Sequence, residues 1–114
     1  MSSSSKVVTL TADQFDAVAL APGRTAVVDF WAPWCPPCRA LAPTIEALAA
    51  ERDDVLVGKL DVDDHPAIAE RYGIQNIPTV LVFRDGRLAG KSVGLVAIER
   101  LRDLVAPPAE EAIA

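Results

Sequence analysis

Cysteine and histidine are scarce in this chain, which has two cysteines, Cys35 and Cys38, and one histidine, His65. A structural zinc site needs about four ligands, so these side chains could form one only between two molecules. A basic excess is also missing, since 11 lysines and arginines stand against 16 aspartates and glutamates, for a net charge of −5. We therefore expect no nucleic-acid interface and no electrostatic docking on an anionic membrane.

Long apolar runs are missing as well. No stretch approaches the roughly 18–20 apolar residues that cross a bilayer, and the first residues contain no apolar core like that of a signal peptide. The sequence therefore predicts a cytoplasmic protein. Its 114 residues, 51% of them hydrophobic, suit a single domain over residues 1–114. Residues 1–5 are expected to form a flexible lead, and residues 108–114 a mobile tail.

The hydrophobic pattern predicts strands that alternate with helices. Thr25–Trp31 is almost continuously apolar and β-branched, which is typical of a central strand covered on both faces. Helical spacing follows over residues 38–52. Further along, Asp85-Gly86 is a hairpin signal between strands predicted at 79–83 and 88–93. The order βαβαβα followed by ββα predicts an α/β fold, a mixed sheet with helices on both faces.

The two cysteines lie where the central strand gives way to the long helix. With Cys35 at the N-cap, the helix dipole and the free N–H groups of the first turn favour a thiolate. Cys38, three residues on, lies on the same helical face within disulfide reach. We expect Cys35 to be exposed and Cys38 to be sheltered, as in thiol–disulfide exchange, where one thiol attacks and the other resolves. An inert structural disulfide and an intermolecular zinc site are the alternatives.

One set of motifs extends over nearly the whole chain: Asp29-Phe30-Trp31-Ala32-Pro33-Trp34-Cys35-Pro36-Pro37-Cys38, Ile77-Pro78-Thr79 and the hairpin at Gly86. From about residue 7 to residue 105 the chain resembles the thioredoxin family. The resemblance implies the thioredoxin fold, with a five-stranded mixed sheet flanked by four helices. It also implies a monomeric protein thiol–disulfide oxidoreductase that reduces target proteins through a Cys35–Cys38 disulfide. No bound cofactor is implied, and electrons would come from NADPH through a thioredoxin reductase.

Two charged residues, Asp29 and Lys59, interrupt apolar strands. A carboxylate desolvated in a strand has a raised pKa and can accept a proton near neutrality. A buried aspartate can also simply be satisfied by backbone or water. The resemblance implies that Asp29 helps Cys38 to lose its proton through water. It places Lys59 beside Asp29 as a charge that tunes the carboxylate, although Lys59 could instead extend to the surface.

The resemblance also implies a substrate-binding rim. The Ile77–Pro78 bond is expected to be cis and to face the cysteines, which leaves the backbone of Ile77 free to pair with an extended target segment. Trp31 is expected to pack behind the disulfide. The rim residues are Trp34, Pro36, Pro37, Ile77, Pro78 and Gly94. The apolar collar around the groove would consist of Gly73, Ile74, Gly94 and Leu95, which ordinary turn chemistry explains equally well.

The residues between the cysteines depart from the family's usual Gly-Pro pair. Pro36 has no N–H group, and Pro37 disfavours a helical conformation of the residue before it. Reduction potentials in this family range over about 150 mV, and the residues between the cysteines shift the preferred direction of the exchange within that range. Two alternatives to a general reductase follow. One is a specialised redox donor or isomerase-like member, and the other is a non-catalytic binding module with the thioredoxin fold.

Overall fold

The computed structural model describes residues 5–106. Its elements in chain order are β1 Val8–Thr9, α1 Phe15–Ala19, β2 Thr25–Trp31, α2 Pro36–Glu51, β3 Leu56–Asp61, α3 Pro66–Arg71, β4 Thr79–Arg84, β5 Arg87–Val93 and α4 Ile98–Val105. The five strands form one mixed sheet in the order β1-β3-β2-β4-β5. This confirms the predicted α/β thioredoxin fold. The expected mobile tail, residues 108–114, and residues 1–4 of the expected lead lie outside the described residues, and the single domain over 1–114 stays a prediction.

Strand β2 lies at the centre of the sheet, parallel to β3 and antiparallel to β4. Its side chains alternate between two apolar cores because successive residues of a strand face opposite sides of the sheet. Val28 and Phe30 pack with residues of α1 and α3, whereas Val27 packs with residues of α2 and α4. Asp29 and Trp31 share the face of Val27. They therefore lie on the side of the sheet that α2 covers.

Helix α2 carries the cysteine pair to the end of β2. Cys35 is its N-cap, and Pro36 and Pro37 occupy the first two helical positions, so Pro36 is helical although Pro37 disfavours that conformation. Proline is well suited there because its fixed φ is helical and no intrahelical partner exists for the missing N–H. The helix buries one apolar face and contains Pro43 within its 16 residues. No helix within residues 5–106 is long and apolar enough to cross a membrane.

Gly58 allows β1 and β3 to pack closely. It pairs in register with Val8, and a Cβ atom added to it would lie 2.7 Å from Leu10 Cδ1 and 3.1 Å from the Val8 carbonyl oxygen. Gly58→Ala should therefore lower the free energy of unfolding by about 1–3 kcal/mol, as measured by urea titration. In a Leu10→Val background, which lacks the Cδ1 atom, Gly58→Ala should lower the free energy of unfolding by less. An equal decrease in both backgrounds would show that the contact with Leu10 does not cause the loss of stability.

Candidate active site

A disulfide joins Cys35 and Cys38 across the N-terminus of α2, with 5.2 Å between the two Cα atoms. The Cys35 sulfur accepts a hydrogen bond from the Cys38 N–H at 3.3 Å. The prediction of an exposed Cys35 is wrong for this oxidised state, in which Cys35 is 3% exposed and Cys38 1%. Both lie in a small apolar cluster, and the side chains that cover it come from three different segments: Trp31, Val62 and Ile77.

The first turn of α2 offers few donors to the Cys35 sulfur. The first N–H groups of a helix have no intrahelical partner and normally face an N-cap acceptor. Pro36 and Pro37 remove the first two of these donors, and the N–H of Arg39 donates to the Cys35 carbonyl oxygen. Cys38 therefore supplies the hydrogen bond to the sulfur. The helix dipole, which depends on all the peptide groups of α2, still favours negative charge at this end.

Asp29 is a buried carboxyl on the face of the sheet beneath α2. It is 4% exposed, and within the described residues its Oδ1 atom has no hydrogen-bond partner. Burial raises the pKa of Asp29 to about 7, and the positive charge of Lys59 opposes this rise. Because α2 also carries Cys38, this carboxyl is on the same side of the sheet as the resolving thiol. It can take up or release a proton near neutral pH.

Lys59 lies on β3 directly beside Asp29, since the two residues are register partners in the parallel pair of β2 and β3. The ammonium does not extend straight into solvent. Its Nζ atom lies over the ring of Trp31, 4.9 Å from the ring centroid. The resemblance placed Lys59 next to Asp29, and Trp31 was expected behind the disulfide, but no local pattern indicated that the cation and the ring are in contact.

The loop before β4 faces the cysteines. The Ile77–Pro78 bond is cis, as predicted, and the carbonyl oxygen of Ile77 lies 3.8 Å from the Cys35 sulfur. The N–H of Gly94 donates to the Pro78 carbonyl oxygen at 2.8 Å, and Gly94 has a φ of +93°, a conformation that favours glycine. This hydrogen bond therefore joins the end of β5 to the loop that contains the cis Ile77–Pro78 bond. The substrate-binding roles of Ile77, Pro78 and Gly94 stay predictions.

A mostly apolar cleft of about 210 Å³ opens beside the disulfide, lined by Trp34, Val62, Ala69, Ile74, Gln75 and Ile77. Trp34 is 64% exposed, and its indole N–H donates to Asp63 at 2.6 Å. Ile74 was expected in the collar, whereas Val62, Ala69 and Gln75 were missed. No signal in the sequence distinguishes these three from ordinary core and loop residues, because the fold of α3 against the end of β3 brings them together.

Two further residues have structural explanations. Gly73, with a φ of +65°, follows α3, and its N–H donates to the Glu70 carbonyl oxygen, as expected of a glycine that ends a helix. His65 is the N-cap residue of α3, and its Nδ1 atom accepts a hydrogen bond from the Ala12 N–H at 3.1 Å.

Within residues 5–106 no group of three or more potential metal ligands is present.

Comparison with known proteins gives consistent matches. A family model described as Thioredoxin matches residues 6–107. The chain is 51% identical over 69 residues to a thioredoxin of Chlamydia caviae, which covers 60% of this chain and 68% of that protein. It is 46% identical over 80 residues to a thioredoxin of Bacillus subtilis, with coverage of 69% and 77%. For a thioredoxin of Mycolicibacterium smegmatis the identity is 42% over 97 residues, with coverage of 82% and 87%.

Proposed function

This chain belongs to the thioredoxin family, and we propose that it is a general reductant of protein disulfides supplied with electrons from NADPH by a thioredoxin reductase. Family membership and the Cys35–Cys38 disulfide make it a protein thiol–disulfide oxidoreductase. The observation that carries the proposal is this disulfide at the N-cap of a long helix, beside the Ile77 carbonyl. We further propose that the protein acts as a monomer in the cytoplasm, a compartment that keeps close cysteine pairs reducible.

The reaction transfers two electrons in two exchange steps. In the reduced protein, the Cys35 thiolate attacks one sulfur of a target disulfide, forms a mixed disulfide and releases the other target sulfur as a thiolate. The Cys38 thiolate then attacks the Cys35 sulfur, which forms the Cys35–Cys38 bond and releases the second target thiolate. Both electrons come from the sulfur atoms of the protein, so the exchange itself requires no bound cofactor.

We assign Asp29 the role of proton acceptor for Cys38 through water. Cys38 must lose its proton before it can attack, and a base works best when its pKa lies near the operating pH. The buried position of Asp29 on the α2 side of the sheet and its pKa of about 7 support this assignment. The cation of Lys59 lowers the cost of ionising Asp29 and in this way adjusts the pH at which the base is available.

We propose that an extended segment of the target protein binds along the Ile77–Pro78 loop, with its side chains against Trp34 and the adjacent cleft. The carbonyl oxygen of Ile77 is 3.8 Å from the Cys35 sulfur, so a segment paired with Ile77 would bring its own sulfur close to Cys35. Pro36 and Pro37 would form the other side of this surface at the start of α2.

Trp34→Ala should raise the KM for a protein substrate by about 5–30-fold with little change in kcat, because a large exposed ring supplies binding area but takes no part in the chemistry. Leu88→Ala is the matched control. Leu88 is also exposed, at 52%, but it pairs with Phe83 near the hairpin, at the end of the sheet away from the cysteines. An equal change in KM for both variants would contradict a binding role for Trp34.

A coupled assay tests the proposed function. The protein, a bacterial thioredoxin reductase, NADPH and insulin are combined, and NADPH oxidation is followed by absorbance. We expect sustained NADPH oxidation, beyond the single equivalent that reduces the Cys35–Cys38 disulfide, to require the protein and the insulin together. No NADPH oxidation, with the cysteines intact, would favour the non-catalytic binding module instead.

The Pro-Pro pair favours a second candidate, a specialised donor or isomerase-like protein with a shifted potential. Pro36 and Pro37 have no N–H groups, so in the first turn of α2 it is the Cys38 N–H that donates a hydrogen bond to the Cys35 sulfur. Equilibration against graded glutathione or dithiothreitol mixtures, beside a Pro36→Gly variant, measures the shift. A potential of about −270 mV is typical of a general reductant, and one of about −180 to −120 mV is typical of isomerases and oxidants.

A further inference from the structure

The contact between Lys59 and Trp31 joins a charged side chain to the aromatic residue at the end of β2. The Lys59 Nζ atom lies 4.9 Å from the ring centroid, well within the distance of about 6 Å over which a cation is attracted to an aromatic face. Trp31 also packs against the cluster that contains Cys35 and Cys38. Trp31 therefore lies between the Lys59 cation and the apolar cluster that contains the redox-active pair.

The sheet register places these two residues and Asp29 on one face. Asp29 and Lys59 are register partners on neighbouring strands, and Trp31 follows Asp29 by two residues on β2, so the three side chains emerge on the same side of the sheet. From its position beside Asp29, Lys59 reaches along the strands toward Trp31. The ammonium is in this way held at the cysteine end of the sheet.

We propose that Trp31 is a positioning residue for this reaction, whose indole face holds the Lys59 ammonium close to Asp29 and to the cysteine pair. A lysine side chain has four flexible methylene groups and a strongly hydrated charge. In the absence of an aromatic face, the half-buried Lys59 would gain hydration and conformational freedom by turning toward solvent. The inference rests on the proposed role of Asp29 as proton acceptor, because the position of Lys59 matters through that carboxyl.

Few charged groups face Asp29, which makes the position of this cation important. From β3 the facing residue is Lys59, and from β4 the register partner is the uncharged Val80. Asp61 lies beyond Lys59 on β3, opposite Trp31, and its carboxylate accepts a hydrogen bond from the Asp63 N–H. The buried face of α2 contributes Cys38, which carries no charge in the disulfide, and the apolar residues Leu41, Ile45, Leu48 and Ala49.

A double-mutant cycle tests the proposal through the pKa of Asp29, measured from the carboxyl carbon by NMR in the oxidised protein. With Trp31 present, Lys59→Met should raise this pKa, because a neighbouring positive charge is lost. With Trp31→Leu, the same Lys59→Met change should raise it by much less, because the cation is no longer held in place. Trp34→Leu is the matched control and should leave the full effect of Lys59→Met intact. An equal effect of Lys59→Met with and without the Trp31→Leu substitution would overturn the proposal.

A second measurement needs no substitution at Trp31. Protons above an indole face resonate at lower chemical shift, so the ε-methylene protons of Lys59 should lie upfield of those of Lys6 and Lys91. Ordinary chemical shifts for Lys59 would overturn the proposal even if Trp31→Leu failed to fold.

A third variant tests whether the aromatic face itself is needed. Trp31→Phe retains a smaller aromatic face, so in this background Lys59→Met should raise the pKa of Asp29 by more than it does with Trp31→Leu. A purely structural role of Trp31 predicts no such difference.

The kinetics of Asp29→Asn separate this inference from the function on which it rests. If Asp29→Asn slows release of the target but the double-mutant cycle shows no coupling between Trp31 and Lys59, Asp29 is the proton acceptor and Trp31 does not position Lys59. Where the cycle shows coupling and Asp29→Asn releases the target at the normal rate, Trp31 positions Lys59 as proposed, and the acceptor role of Asp29 fails.

Discussion

Replacing Cys35 with serine should lower the rate of insulin reduction by at least about 10³-fold, a loss typical of removing a catalytic nucleophile. Serine has the size of cysteine, but its hydroxyl is not ionised near neutral pH and cannot form a mixed disulfide. The rate is measured from the turbidity of the released insulin chain with dithiothreitol as reductant. Full activity in Cys35→Ser would contradict the assignment of Cys35 as the attacking thiol.

Cys38→Ser is the matched control for this experiment. It leaves Cys35 able to attack but removes the resolving thiol, so the mixed disulfide between Cys35 and the target should accumulate. Non-reducing electrophoresis followed by mass spectrometry detects the trapped complex. A Cys38→Ser variant that turned over normally without trapping targets would show that another thiol resolves the intermediate.

Asp29→Asn should stabilise the oxidised protein at alkaline pH relative to the wild type. Burial raises the pKa of Asp29 from 3.8 to about 7, so the folded state binds this proton more tightly than the unfolded state does. The resulting stabilisation is complete below about pH 4 and is lost as the pH rises through about 7, a change of about 4 kcal/mol. Asparagine cannot ionise. The stability of the variant relative to wild type should therefore increase by about that amount between about pH 4 and about pH 9.

Urea titrations of both proteins across this pH range measure the difference. Asp103→Asn, which removes an exposed carboxylate on α4, is the control for the loss of one negative charge. A difference between Asp29→Asn and wild type that did not change with pH would show that Asp29 ionises normally in the folded protein.

The same Asp29→Asn variant should release its target more slowly. Removal of a general base costs about 10²–10⁴-fold in the step that it assists, and here that step is the attack of Cys38 on the mixed disulfide. Rapid-mixing measurements with a fluorescent disulfide substrate separate this step from the first attack by Cys35. Equal slowing of both steps would point to a general disturbance of the site, since Asp29 is assigned to Cys38.

Local patterns in the sequence were sufficient to predict the strand and the helix that carry the site. The apolar run of β2 predicted a central strand with the bounds that the structure has, because a strand buried on both faces is apolar along nearly its whole length. Cys35 was predicted as the N-cap of α2, and the two prolines after it fit the first helical turn. The cis bond before Pro78 came from the resemblance, since a proline by itself is usually trans.

The burial of Cys35 and the surroundings of the disulfide depended on the tertiary structure. A helix N-terminus favours a charged sulfur wherever it occurs, but whether solvent reaches that sulfur depends on side chains from other segments. Trp31, Val62 and Ile77 pack against the cluster that contains the disulfide, and residues at the end of β3 and on α3 line the cleft beside it. The contact of Lys59 with Trp31 arises in the same way from strand register.

The sequence by itself therefore determined the order of the elements, the position of the cysteine pair at the start of α2 and the presence of a carboxyl within a buried strand. These features depend on periodicity, capping and composition, which act over a few neighbouring residues. Only the tertiary structure decided that Cys35 is covered in the disulfide, that the cleft opens beside Trp34 and that Lys59 lies over Trp31. Those features require contacts between residues far apart in the chain, and sheet register and packing bring such residues together.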